Sequence, residues 1–350
     1  MYKRQTDSYG VVSGWVFGND GYMGTAITKR GNKKLTWETT SEFNIGLDLG
    51  FFDNRISLSM EYYNRIISDL LVSNKSLPAY NEINTIAANI GKTQGRGFEL
   101  TLSTVNIMNK DWTWSTDFTF YTFKDNWYER DPNWKPAAYE SKKDPIRSYY
   151  SYVSDGLLQV GEKAPAWQPT LVPGQIKLKN LYDTGTSPNV LDQYDKVNLG
   201  SQDPKCTLGL NNTLRYKNLD FNIYFYGEIG RLRGASYYDA WIVGLGNSLT
   251  NVSQQSLHSY TNANQNTTVP NLIESAYDFG DYYHKKINYL RCRNITLGYT
   301  IPVSKSIANS VRISANVSNP FVFTNWNGVD PETDTGNFSY PNVTSFSFGI

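Results

Sequence analysis

The stretch "NYLRCRNITLGYTIP", Asn288 to Pro302, decides the fold. From Asn294 it alternates with a period of two. Ile295, Leu297, Tyr299 and Ile301 fall on one side, and Asn294, Thr296, Gly298 and Thr300 on the other. Such alternation marks a strand with one apolar and one polar face. A soluble sheet buries the apolar face in a core. A transmembrane barrel turns it to lipid and keeps the polar face around a wet lumen.

The same alternation recurs along the chain. Its apolar sets are Phe43 to Leu49, Ile56 to Tyr62, Phe98 to Leu102, Trp112 to Phe120, Cys206 to Tyr216, Leu219 to Phe225, Val311 to Val317 and Phe346 to Ile350. With the opening stretch this predicts about nine strands. The opposite faces carry Asn44, Asp48, Glu61, Glu99, Asp117, Asn211, Asp220, Asn222, Glu228, Arg312 and Asn316. A solvated sandwich face and a water-filled lumen explain these polar rows equally well, strand by strand.

The connections separate the two. Short links at Gly50–Asn54, Asn106–Lys110, Lys217–Asn218 and Pro302–Asn309 alternate with long ones, roughly 68–94, 124–203, 231–286 and 325–341. Compact domains rarely repeat loops of such length. Antiparallel barrels put every second connection at the same rim, with tight periplasmic turns at one end and large loops at the other. The expected fold is therefore all-β, an antiparallel transmembrane barrel of which the chain holds about nine strands. Asp53, Lys217 and Lys305 would lie in periplasmic turns, and Asn133, Asn247 and Asn264 outside.

Composition narrows the function. Mean hydropathy is −0.49, and no apolar run approaches the roughly 18–20 residues of a spanning helix. Net charge is +1, which gives nucleic acid no electrostatic footprint. Aromatic content is 15%, with 26 Tyr and 9 Trp; these rings suit a bilayer interface or a sugar-binding surface. The N-terminal "MYKRQTDSYG" has no apolar leader core. A barrel needs export, so the chain is expected to begin inside a longer one.

Several segments resemble the SusC/RagA branch of TonB-dependent outer-membrane transporters. They are "LTWETTSEFNIGLDLGFFDNRISLSMEYYNR" (35–65), "NIGKTQGRGFELTL", "DGLLQVGE", "GQIKLKNLYD", "NLGSQDPKCTLGLNNTLRYKNLDFNIYFYGEIG", "YLRCRNITLGYTIP" and the closing "GVDPETDTGNFSYPNVTSFSFGI". The resemblance covers most of 35–350, in the family's order. It implies that 35–350 is the C-terminal portion of the barrel, that 1–34 is a loop or partial strand, and that the N-terminal plug domain lies elsewhere. It further implies import of large nutrients across the Gram-negative outer membrane, mostly oligosaccharides or glycans and sometimes peptides. A SusD-like surface lipoprotein would act as lid, and the TonB complex would supply energy through the plug. The alternative is a surface β-sheet module that binds glycans without transporting them.

Neither reading calls for catalysis or a cofactor. Loop carboxylates such as Asp239, Glu274 and Asp278 show no sign of converging as a glycosidase pair. His258 and His284 are too few and too isolated for a metal site. Relatives often carry an acidic loop after the "GQIK" segment. Here Asp183, Asp192 and Asp195 remain, but without the spacing that gathers hard oxygen ligands, so a solvated loop is expected. Candidate substrate- or partner-binding residues are the loop aromatics Trp127, Trp134, Tyr237, Tyr238 and Trp241, with packing of the loops as their competing use. Cys206 and Cys292 fall on opposite faces if the strand is regular and then cannot pair. The same parity puts Arg291 and Arg293 on the apolar face. That is costly in lipid, so the strand is expected to leave the membrane above Asn294 or to contain a bulge.

Overall fold

The computed structural model describes residues 7–18, 20–77, 85–182, 189–234, 254–271, 279–303, 310–328, 330–333 and 340–350. In chain order the strands are β1 (Ser8–Phe17), β2 (Asp20–Lys29), β3 (Thr39–Phe51), β4 (Ile56–Ser68), β5 (Leu71–Ser76), β6 (Thr85–Asn89), β7 (Lys92–Met108) and β8 (Trp112–Glu129). Then come β9 (Ser148–Ser151), β10 (Ser154–Leu157), β11 (Ile176–Leu178), β12 (Val197–Ser201), β13 (Cys206–Tyr216), β14 (Leu219–Gly234), β15 (His284–Ile301), β16 (Val311–Thr324) and β17 (Ser345–Gly349). No helix among the described residues is long and apolar enough to cross a membrane.

Nine of these strands form one sheet in the order β17-β16-β15-β14-β13-β8-β7-β4-β3. They are the nine that alternation predicts, and they follow one another in sequence order once the loop strands are set aside. Their tight turns are built from local chemistry. Phe52, Asp53 and Asn54 all take φ between 55° and 62°, a left-handed region that Asp and Asn tolerate better than most residues. Lys217 takes φ 48° in the link of β13 to β14. Neighbouring turns are tied together: the Lys217 amide donates to Asp111 O, and the Thr300 amide to Asn218 O, both at 2.8 Å. The turn at Lys305 lies outside the described residues.

The chain divides into two compact units, 1–44 with 63–96 and 125–135, and 45–62 with 97–124 and 136–350. In the first, β1 and β2 pair as a separate antiparallel hairpin within the segment expected as loop or partial strand, and β5 pairs with β6. In the second, the long connections carry their own small strands, β9 with β12 and β10 with β11. Leu157, Ile176, Leu178 and Tyr260 form a buried cluster there, against which Tyr152, Leu191 and Phe279 pack. This cluster joins the 124–203 connection to the 231–286 connection, because Tyr260 comes from the second.

Polarity and exposure in the sheet are reversed from those of a soluble protein. Leu210, Leu297, Tyr299, Ile313, Phe321 and Phe348 are exposed, while polar Asn211, Thr296 and Asn316 on the other face are half-buried. Large apolar side chains exposed on one face to this extent mark a surface that meets something other than water. The fold is a partial transmembrane β-barrel, and its apolar face is the lipid face. At one end of that face the tilted rings of Trp112 and Tyr216 pack with centres 4.3 Å apart, beside exposed Trp114 and Tyr299, as an interfacial girdle would. Asn212 interrupts the apolar row. Its Oδ1 accepts from Trp114 Nε1 at 3.1 Å and Thr116 Oγ1 at 2.7 Å, so that acceptor is satisfied where water is scarce.

One irregularity changes the expected facing. Against β14, Asn294 pairs with Tyr224, but Cys292 pairs with Phe225. Arg293 is therefore an extra residue, a β-bulge that reverses the parity of everything before it. Cys292 joins the apolar face with Phe225 and Phe321, and Arg291 joins the polar face opposite Tyr226. This corrects the placement of Cys292 by regular alternation. Both cysteines are free, although they share a face. Cys206 pairs with Ile229 on β14, four residues along from Phe225, and β14 itself lies between β13 and β15.

Candidate functional site

The polar face is a hydrogen-bonded lattice laid across neighbouring strands. Ser103 Oγ donates to Asp117 at 2.7 Å. Asn222 Nδ2 donates to Asn211 Oδ1 at 2.7 Å and to Thr213 Oγ1 at 3.0 Å. On β15 and β16, Asn316 Nδ2 donates to Asn294 Oδ1 at 2.7 Å. Nearer the tight turns Arg312 Nε reaches Asp220 Oδ1 at 3.2 Å. This pair bridges β16 and β14 over the strand between them. Gly298 on β15 makes the crossing possible, because a Cβ there would strike both side chains. Amides, hydroxyls and paired charges of this kind line a wet passage without offering a single strong binding point.

Toward the long-loop end the polar face carries a closed charge cluster. Arg291 Nη2 lies 2.8 Å from Asp330 Oδ2, and its Nε lies 2.7 Å from Glu332 Oε2. Arg291 is 3% exposed and Asp330 4%. Tyr289 Oη donates to Glu332 Oε1 at 3.0 Å, and Arg293 pairs with the same oxygen. The Arg293 guanidinium lies 5.1 Å over the Tyr226 ring. Tyr226 Oη in turn donates to Glu228 Oε1 at 3.0 Å, and Glu228 pairs with Arg231 at 3.2 Å. Three arginines thus meet three carboxylates. Burial works against the Asp330 charge, but the amides of Glu332, Asn342 and Thr333 and the Arg291 guanidinium outweigh it and hold the carboxyl below its usual range. Ile287, Tyr289 and Trp326 pack beside the cluster. Asp330, Glu332, Asn342 and Trp326 all belong to the connection of β16 to β17, so this connection folds back onto the polar face.

Sequence reasoning flagged Arg291 and Arg293 as misplaced but missed their partners. Two arginines in an otherwise apolar row require counter-charges, and the "VDPE" segment supplies them.

The predicted loop aromatics fare differently. In the first unit, Arg130 lies 3.8 Å over the Trp134 ring and 5.4 Å from that of Trp127. One cation therefore ties these two rings together. Gly91, at φ 85°, leaves the room Trp127 needs, since a Cβ there would come within 3.3 Å of its ring. Tyr237, Tyr238 and Trp241 lie outside the described residues, as do Asn247, Asp239, Glu274 and Asp278.

The acidic loop is not simply solvated. Asp195 is fully buried. Its Oδ1 accepts from the amides of Leu181 at 2.6 Å and Tyr182 at 3.1 Å, and its Oδ2 from that of Asp192 at 2.9 Å. The carboxylate is spent on backbone, and Asp192 caps the short 3-10 turn Gln193–Asp195. Asp183 lies outside the described residues. His284 stacks on Tyr149 at 4.3 Å, and His258 ends a short 3-10 helix of a loop. Among the described residues no three His, Cys, Asp or Glu side chains gather as a metal site would require.

The lipid-facing sheet and its loops have known counterparts. TonB-dependent receptor P3 of Formosa agariphila is 29% identical over 96% of this chain and 36% of its own length. TonB-dependent receptor SusC of Bacteroides thetaiotaomicron is 28% identical over 95% of this chain and 33% of its own. The chain thus spans about a third of the length of these relatives. Among solved structures, the RagAB peptide transporter superposes with a TM-score of 0.75 over 98% of this chain and 38% of the other, at 23% identity. The open-open state of the RagAB peptide importer gives 0.77 at 21% identity. SusC and RagAB relatives cover most of the chain, in keeping with the SusC/RagA branch. Residues 5–319 match the family model for the TonB dependent receptor-like β-barrel, and the chain belongs to that family.

Proposed function

We propose that this chain forms part of the barrel of an outer-membrane transporter that imports large nutrients, oligosaccharides or peptides. TonB supplies the energy, and a SusD-like lipoprotein sits over the external rim. The observation that carries the reading is the reversed sheet, apolar toward lipid and hydrogen-bonded toward a lumen. A glycan-binding module that never enters a membrane has no use for such a face. The relatives point the same way, since RagAB is described as a peptide transporter. Peptide and glycan remain the two substrate classes, because both are bound by amide- and hydroxyl-rich walls. The work is binding and passage, with no catalytic step.

The test is uptake. Deletion of the gene encoding the whole protein should abolish accumulation of a labelled oligosaccharide or oligopeptide in intact cells, and so should loss of TonB. Affinity purification from detergent-solubilised outer membrane should bring down a surface lipoprotein. Recovery of the full-length protein from cell lysate without detergent would refute the barrel reading and favour the binding module.

A further inference from the structure

The connection of β16 to β17 is a long link at the external rim, yet its described residues lie against the polar face of the sheet. We infer that Arg291 is a positioning residue that latches the described part of this connection against the lumenal face of the sheet. The inference rests on the barrel reading but not on import.

Four observations carry it. First, register puts Tyr226, Glu228, Tyr289 and Arg291 on the same face as Asn222, Thr296 and Asn316, which is the lumenal face. Second, the connection gives that face two carboxylates, Asp330 and Glu332, and both bind Arg291. Third, the connection is organised around the latch. Asp330 also accepts the amides of Glu332, Thr333 and Asn342, and Asn342 Nδ2 donates to Glu332 Oε2. The two described pieces, 330–333 and 340–350, are thereby held together. Fourth, Trp326 is buried against Ile287 and Tyr289, so the connection is packed at its start as well as pinned further on.

A buried ion cluster is a poor source of stability compared with apolar packing of equal volume, and its best-attested use is to fix one arrangement among several. Here it selects the inward arrangement of a connection that could equally stand out in water. The guanidinium lies against the two carboxylates with two different nitrogens, where lysine would offer a single point charge.

The test uses the full-length protein in its native outer membrane. Arg291→Met removes the latch from the wall. Asp330→Asn with Glu332→Gln removes it from the connection and leaves β15 untouched. Both should reach the surface. Protease added to intact cells should cut within 325–344 on the order of 100-fold faster than in the wild type, as expected when one partner of a buried pair is lost. Arg291→Lys should fall between wild type and Arg291→Met in protease sensitivity. The inference is overturned if the Asp330→Asn, Glu332→Gln variant keeps wild-type protection. It is also overturned if that variant fails to assemble, because the cluster would then be part of barrel folding and not a positioning device.

Discussion

Arginine scanning of the lipid face should produce a cost that depends on depth. The eleven residues of β13 run from the girdle at Tyr216 to Cys206. At about 3.3 Å per residue and a tilt of about 40°, this covers about 25 Å along the membrane normal, the height of an outer-membrane apolar band. Leu210 sits about 15 Å above Tyr216 on that scale, close to the midplane. Leu297 pairs with Phe221, two steps above the Leu219 level, and is therefore only about 5 Å inside the girdle. Leu210→Arg should cost about 2–4 kcal/mol, and Leu297→Arg about 1 kcal/mol or less. Asn211→Arg and Thr296→Arg, on the opposite face, should cost only the hydrogen bonds they give up, about 1 kcal/mol, since their charges stay hydrated. The assay is surface abundance in cells, or folding into detergent or bilayer, of the whole transporter carrying each change. A buried soluble core would punish Leu210→Arg and Leu297→Arg alike. Equal losses at the two positions, or a loss at Asn211→Arg matching that at Leu210→Arg, would refute the lipid assignment.

Two further outcomes follow from buried carboxylates. Asp195→Ala leaves three amides without their acceptor, at about 1–3 kcal/mol for each that water does not reach. Hydrogen exchange at Leu181, Tyr182 and Asp192 should speed up markedly, and a chelator should leave the wild-type loop unchanged; a chelator that mimics the mutation would reveal a cation there. Asp330 is held below its ordinary 3.8, so the stability it lends the β16–β17 connection is present above that value and disappears only as pH falls through the depressed one. Protease protection of 325–344 should therefore be flat from pH 7 to about pH 4 and fall below it; loss between pH 6 and pH 5 would contradict the cited pairing.

The membrane part of the molecule was legible in the sequence because lipid imposes a simple rule on each residue. Leu214, Leu210 and Leu208 must face one way, and Asn211 and Thr213 the other, and no long-range packing can override it. The parts above the membrane obey no such rule. β9 to β12 are short strands embedded in Pro- and Gly-bearing segments such as "EKAPAWQPTLVPGQ". Their pairing depends on the buried contacts of Leu157, Ile176, Leu178 and Tyr260, which come from sequence positions up to a hundred residues apart. Asp195 likewise looked like any surface acid, because its three partners are backbone amides, which leave no mark in a sequence. Trp127 and Trp134 were found as aromatic residues, but nothing in their spacing disclosed the arginine between them.

The bulge at Arg293 acts as a phase shift in the code that relates sequence to facing. Below it, even-numbered residues of β15 turn to the lumen; above it, odd-numbered ones do. A single deletion at this position would keep every hydrogen-bonding strand in place. It would leave a regular strand in which Cys292 still faces lipid and Arg291 and Tyr289 still face the lumen, whereas a deletion elsewhere in β15 would turn the residues on one side of it to the opposite face. The two halves of the strand are thus insulated from one another. Changes that suit the loops can accumulate above residue 293 without disturbing the alternation that lipid demands below it, because the bulge absorbs a shift of one residue. For this reason single-residue insertions and deletions in β15 should be far less tolerated than substitutions, except at Arg293, where a deletion only removes the bulge.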